Sequence, residues 1–135
     1  GARVGYMVAN KRFARVFRET IQSPYPISVL SLAIASGVLA RTDHVRKTIE
    51  TIRSERSRVI GRLSKIPGIK AFRSDANFIF IETGKSYQAI SKALGSNGIV
   101  VKMLDNLAGH RGCMRVTIGT REMNDRFLQS IEGVL

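Results

Sequence analysis

Eleven consecutive positions, Val29 to Leu39, are drawn almost wholly from Ala, Ile, Leu, Val and Ser. Ser28 before them is a natural N-cap, so the stretch predicts a helix. A helix apolar on nearly every side has no face to give to water. It is also far too short to cross a bilayer, which takes roughly 20 apolar residues. It must therefore be buried against other protein, and any fold for this chain has to supply that cover. The 135 residues suffice for one small core-bearing domain, or for a piece of a larger one whose remaining core lies elsewhere. A hydrophobic fraction of 44% and a charged fraction of 24%, with no Pro-, Gln- or Gly/Ser-rich tract, argue against disorder.

The surrounding pattern reads as alternating helices and strands. Arg3 to Ala9, rich in Val, Tyr and Met, is expected as a strand, with Asn10 capping a helix from Lys11 to Thr20 that ends before Ser23-Pro24-Tyr25-Pro26. Thr42 and Asp43 open the longest helix, whose stripe of Val45, Ile49, Ile52, Val59, Ile60, Leu63 and Ile66 faces a core. It ends at Pro67-Gly68. Ile69 to Phe72 and Asn77 to Glu82 read as strands, the second with both faces covered, and Ser86 to Leu94 as a short helix. Ile99 to Val101 is expected as a strand that Lys102 ends, followed by a loop holding Gly109, His110 and Gly112. Cys113 to Ile118 alternates as a last strand, and Thr120 caps a helix from Arg121 to Ile131.

This order predicts an α/β fold: a small mixed-sheet α/β sandwich over residues 41–135, led by the long helix and preceded in residues 1–40 by a strand and helices belonging to a larger domain. Arg3 to Ala9 has no partner strand and Val29 to Leu39 no cover, which is the pattern expected of a chain cut from a larger protein.

Charge and cysteine usage narrow the function classes. The net charge is +12, and between Arg41 and Lys65 eight cations face three carboxylates. Nucleic acid is one partner this could serve, but the cations are interleaved with acids and no aromatic stacking platform accompanies them, so a solvated helix face is favoured. Acidic residues outside the chain would balance the charge equally well. One cysteine, Cys113, and two histidines exclude an internal disulfide and a zinc ligand set, and the expected compartment is the cytoplasm. The charges spread through the first thirty residues argue against a secretory leader, and no membrane span is expected.

Two arginines stand out. Arg3 follows the small residues Gly1 and Ala2 and offers a planar fork suited to phosphate, although an ordinary surface arginine is the more economical reading. Arg115 lies inside an alternating strand, where a permanent charge needs a partner, either a substrate carboxylate or an internal carboxylate. Lys102 reads as a solvated edge lysine, and Cys113 as a small core residue.

Gly1-Ala2-Arg3-Val4-Gly5-Tyr6, Ser23-Pro24-Tyr25-Pro26-Ile27-Ser28, Asp75-Ala76-Asn77-Phe78-Ile79, Gly98-Ile99-Val100-Val101 and the run from Gly112 through Arg115 to Glu122 stand in one order and spacing. They resemble the C-terminal third of the histidinol-phosphate aminotransferases, pyridoxal-phosphate enzymes of the aspartate aminotransferase fold. The resemblance covers essentially the whole chain.

It implies that Arg3 holds the phosphate of pyridoxal 5'-phosphate and that Arg115 binds the substrate's anionic group. It places Asn77 near the substrate, and Lys102 where many relatives carry arginine to meet the substrate's phosphate. It implies exchange of an amino group between histidinol phosphate and 2-oxoglutarate, with glutamate as the other partner, in a homodimer. Aromatic aminotransferases and threonine-phosphate decarboxylases of the same fold are alternatives, as are a basic binding module and a free-standing structural or regulatory remnant. In the resembling enzymes the Schiff-base lysine precedes the position of Gly1. No catalytic residue and no metal ligand is therefore assigned in this chain, which alone is expected to be inactive.

Overall fold

A computed structural model describes residues 3–134. They divide into two compact units that meet within the longest helix, the first running to Lys47 and the second starting at Thr48.

In the first unit, residues 3–10 form no regular secondary structure. The strand expected over Arg3 to Ala9 is absent, because a strand is stable only when its N–H and C=O groups meet a neighbour's, and no neighbour is present in this unit. Asn10 caps helix α1, Lys11–Val16, by accepting the Phe13 N–H at 2.9 Å. The last turn, Phe17–Ile21, widens to a π-helix in which the Gln22 N–H reaches the Phe17 carbonyl at 2.9 Å. The Thr20 hydroxyl takes the Val16 carbonyl at 2.6 Å, an intrahelical bond of the kind that bends a helix. Ser28 caps α2, Val29–Leu39, through the Ser31 N–H at 3.0 Å. Within the unit α2 remains uncovered, with Val29, Leu30 and Leu39 each about 70% or more exposed.

The second unit is a four-stranded sheet with helices on one face. Helix α3, Thr42–Leu63, runs into it, followed by β1 (Lys70–Ala71), β2 (Phe78–Glu82), α4 (Tyr87–Ser96), β3 (Lys102–Leu107), β4 (His110–Thr117) and α5 (Arg121–Glu132). The strand order is β1-β2-β4-β3, and every ladder is antiparallel. A mixed sheet was the expectation. The α4 crossover does join two strands that run the same way, β2 and β3, but β4 inserts between them, so no parallel ladder forms.

Ile79, Ile81, Met114 and Val116 share one sheet face and pack with Val59 and Leu63 of α3, Ile90 and Leu94 of α4, and Phe127, Leu128 and Ile131 of α5. All are buried, and burial of this kind contributes about 1.5–3 kcal/mol per large side chain. The other face is open, contrary to the expectation that β2 is covered on both sides: Phe78, Phe80 and Glu82 there are only half-buried. Three further expectations are corrected. Ile99 to Val101 is not a strand, Lys102 begins β3 instead of ending one, and His110 opens β4 instead of lying in a loop. The hairpin between β3 and β4 turns at Ala108 and Gly109, both at positive φ, 50° and 85°. It escapes an alternation pattern because the β3–β4 register shifts twice, on either side of Asp105.

Candidate functional site

The open sheet face gathers the chemistry-bearing residues of the second unit. Register sets Arg115 directly opposite Phe80 on β2 and opposite Lys102 on β3, making a row of two cations beside an aromatic ring. The Arg115 guanidinium lies 5.1 Å from the centroid of the Phe78 ring, a cation–π contact that orients its planar fork. Both cations are exposed, and among the described residues no carboxylate stands within ion-pair distance of either. Of the two partners open to Arg115 in the sequence, the internal carboxylate is thus excluded within the described residues. Two adjacent unneutralised cations repel one another and favour an anion between them.

Asn77 does not join this row. It stands just before β2, where its carbonyl accepts the Ile118 N–H at 2.9 Å, and by alternation it shares the parity of Ile79 and Ile81 rather than that of Phe80. Its neighbour Ala76 is held by Arg56 of α3, which donates to the Ala76 carbonyl at 2.6 Å. Arg3 belongs to the first unit. It is exposed and has φ of 55°, a left-handed conformation uncommon for a residue with a Cβ. The same unit has a depression lined by Tyr6, Met7, Phe17 and Arg18.

At the exit of β4 the chain is pinned by a buried polar cluster that a surface-helix reading of α3 misses. Glu55 is 5% exposed and accepts from Arg58 at 2.9 and 2.6 Å and from the Asn124 amide at 2.9 Å. The Arg58 hydrogen bonds hold its carboxyl below the ordinary glutamate value, against the opposing effect of burial. Arg58 also donates to Asp125 at 2.6 Å, and its own pKa is raised by Glu55 and then Asp125. The Asn124 side chain accepts the Gly119 N–H at 3.0 Å and donates to the Gly119 carbonyl at 3.1 Å, fixing the backbone just beyond the strand that carries Arg115. Arg62 pairs with Glu132 at 2.5 Å. Arg56, Arg58 and Arg62 of α3 are therefore engaged inside the unit.

At the far end of the open face Glu82 accepts the Arg111 N–H at 3.0 Å and meets His110 Nδ1 at 2.8 Å. The Arg111 N–H first, and His110 second, hold the Glu82 carboxyl below its ordinary value. Sequence reading could have found Phe78 and Phe80 from their alternation with Ile79 and Ile81. The Glu82–His110 pair depends on the missed hairpin and had no local signal.

Comparison with known proteins gives consistent results. The aminotransferase class I and II family model matches residues 1–131. The histidinol-phosphate aminotransferase of Thermoanaerobacter sp. (strain X514) is 37% identical over the whole chain, which spans 38% of that relative's length. Among solved structures, the histidinol-phosphate aminotransferase from Clostridium acetobutylicum superposes with a TM-score of 0.77 at 27% identity, over 93% of this chain and 38% of that one. The Sinorhizobium meliloti histidinol-phosphate aminotransferase, solved in complex with pyridoxal-5'-phosphate, gives 0.71 at 21% identity, over 90% and 33%.

Proposed function

The chain belongs to the aminotransferase class I and II family, and from that membership we propose that it forms the substrate-side portion of an enzyme moving an amino group between histidinol phosphate and 2-oxoglutarate. Residues 1–40 would then contribute to the large cofactor-binding domain and residues 41–135 make the small domain. The observation that carries the reading is the row of Lys102 and Arg115, two unneutralised cations on an open face. The fork of Arg115, laid on Phe78, is suited to a bidentate grip on the carboxylate of glutamate or 2-oxoglutarate. Lys102 supplies a point charge, which fits the phosphate of the other substrate without the planar match an arginine gives.

Pyridoxal phosphate, when bound, supplies the electron sink that stabilises negative charge at the substrate α-carbon. Arg3 is the residue of this chain that would hold its phosphate, since the guanidinium is exposed and chemically matched to a dianion. Asn77 lies off the Arg115 row, so its part is to fix the approach to β2 and not to grip the anion. The lysine that must move the α-proton is supplied from outside these residues, and the working enzyme is a cytoplasmic homodimer in this reading.

The test starts from the intact mass of the native protein, which is expected to be well above 14.9 kDa. That protein should then transaminate histidinol phosphate in preference to aromatic amino acids and to threonine phosphate. The 135-residue chain alone should show no turnover. Activity in the isolated chain, or a native protein that turns over neither histidinol phosphate nor 2-oxoglutarate, would sink the assignment.

A further inference from the structure

Where α4 begins, the turn Gly84–Ser86 and the β3–β4 hairpin enclose a concavity of about 420 Å³, lined by Lys85, Tyr87, Gln88, Asp105, Asn106 and Arg111. Its floor is fixed by main chain. The Gly112 carbonyl accepts the Thr83 N–H at 3.1 Å and the Thr83 hydroxyl at 2.8 Å, and no Cβ fits at Gly112 between Tyr87 and the Gly84 carbonyl. Tyr87 is 8% exposed, and its hydroxyl accepts the Asp105 N–H at 3.1 Å. Asn106 Oδ1 accepts the Gly112 N–H at 3.3 Å, which leaves the Asn106 NH2 as a donor. These bonds hold Asp105 at φ of 52°, at the point where the β3–β4 register shifts. Such backbone is costly for a residue with a Cβ and persists only where the surroundings over-determine it.

Charges of both signs line this concavity without meeting. Among the described residues neither Lys85 nor Arg111 stands within ion-pair distance of a carboxylate, and Asp105 stands within that distance of no cation. Glu82 is occupied elsewhere, by the Arg111 N–H and His110. Burial first, and then the Asp105 carboxylate, push the Tyr87 hydroxyl above its ordinary value, so it keeps its proton at neutral pH and anchors the bulge. A carboxylate held apart from two cations around one hollow is complementary to a molecule that itself carries both charges.

We propose that this concavity binds a small zwitterion, with its ammonium group on Asp105 and its carboxylate on Lys85 and Arg111. None of Arg3, Asn77, Lys102 or Arg115 lines it. Tyr87 and Gln88 belong to α4, which packs on the sheet face opposite the cation row, so the inference stands apart from the transamination reading.

The test uses three probes with one carbon chain: L-norvaline carries both charges, pentanoate only the carboxylate and butylamine only the ammonium. Each is titrated at pH 7 into the 135-residue chain while backbone amide NMR shifts are followed. Norvaline should bind saturably, with its largest shifts at residues 84–88, 105–106 and 111–112. It should bind about tenfold more tightly than either single-charge probe, the effect of one charge-assisted hydrogen bond. Asp105→Asn, which suits a left-handed position, should erase the advantage over pentanoate. Lys85→Gln with Arg111→Gln, at exposed positions, should erase the advantage over butylamine. Should the Asp105 variant fail to fold, the three probes on the unaltered chain and the exposed double variant decide. Absence of saturation, largest shifts around Lys102 and Arg115, equal affinity for the three probes, or an advantage that survives the variants would each overturn the proposal.

Discussion

Gly112 shows how much a single residue can be constrained. Its φ is 64°, and a Cβ built there would lie 2.8 Å from the Tyr87 Cβ and 2.9 Å from the Gly84 carbonyl. Gly112→Ala therefore meets two penalties, the left-handed backbone and a clash with main chain that cannot rotate away. Denaturant unfolding should show a loss of about 2 kcal/mol or more. Arg115 is constrained differently, in the proposed function by the anion it would grip. Arg115→Lys keeps the charge but loses both the stacked plane on Phe78 and the fork. On the proposed function, the full enzyme's KM for 2-oxoglutarate should rise about tenfold or more, while the fold, followed by circular dichroism, stays unchanged. At this scale Arg115 could be picked out of the sequence because a charge inside an alternating strand is anomalous. Glu55 could not, because a glutamate on a helix otherwise rich in Arg and Lys reads as solvated, and only its distant partner Asn124 shows that it is buried.

Among the elements, helices were the legible part. Asn10, Ser28 and Thr120 each announce a cap, and each accepts a backbone N–H three residues on. The strands around Asp105 were not legible. Asp105 has φ of 52° inside β3, and its N–H is taken by the Tyr87 hydroxyl at 3.1 Å, so side chains there stop alternating and the signal vanishes. The Glu55–Asn124 cluster joins α3, α5 and the exit of β4, and its contribution depends on pH. Because the folded pKa of Glu55 is depressed, the stabilisation is fully present above the ordinary value of 4.5 and is lost as pH falls through the lowered one. Unfolding midpoints should drop between pH 5 and pH 3, and Glu55→Gln should flatten that slope. A slope unchanged by the substitution would remove Glu55 from the account. Asn124→Ala, which strips partners from Gly119 and Glu55 together, should cost about 1–3 kcal/mol.

Taken whole, the molecule has one unit with its own core and one without. The core of the second unit draws on three helices and two strands, whereas the first leaves Val29, Leu30 and Leu39 of its apolar helix in water. Exposed apolar surface of that extent drives association. Leu30→Glu together with Leu39→Glu should lower concentration-dependent light scattering by half or more, while the unfolding transition of the second unit is unaffected. That the helix would need cover was evident from Val29 to Leu39 alone, because a pattern without a polar face is a statement about surroundings.

The position of β4 in the sheet has a consequence in biosynthetic time. It is an inner strand by pairing, between β2 and β3, and the last strand by synthesis: β1 and β2, then α4 and β3, leave the ribosome before the strand that joins them. Until His110–Thr117 emerges, β2 and β3 each present an unpaired edge, and neither can complete its ladder with the other. Premature termination between Leu107 and Thr117 would thus release a chain without a complete β4 or α5, keeping of its sheet only the short β1–β2 ladder. Its open edges would be a substrate for chaperones and proteases rather than a smaller version of the folded unit.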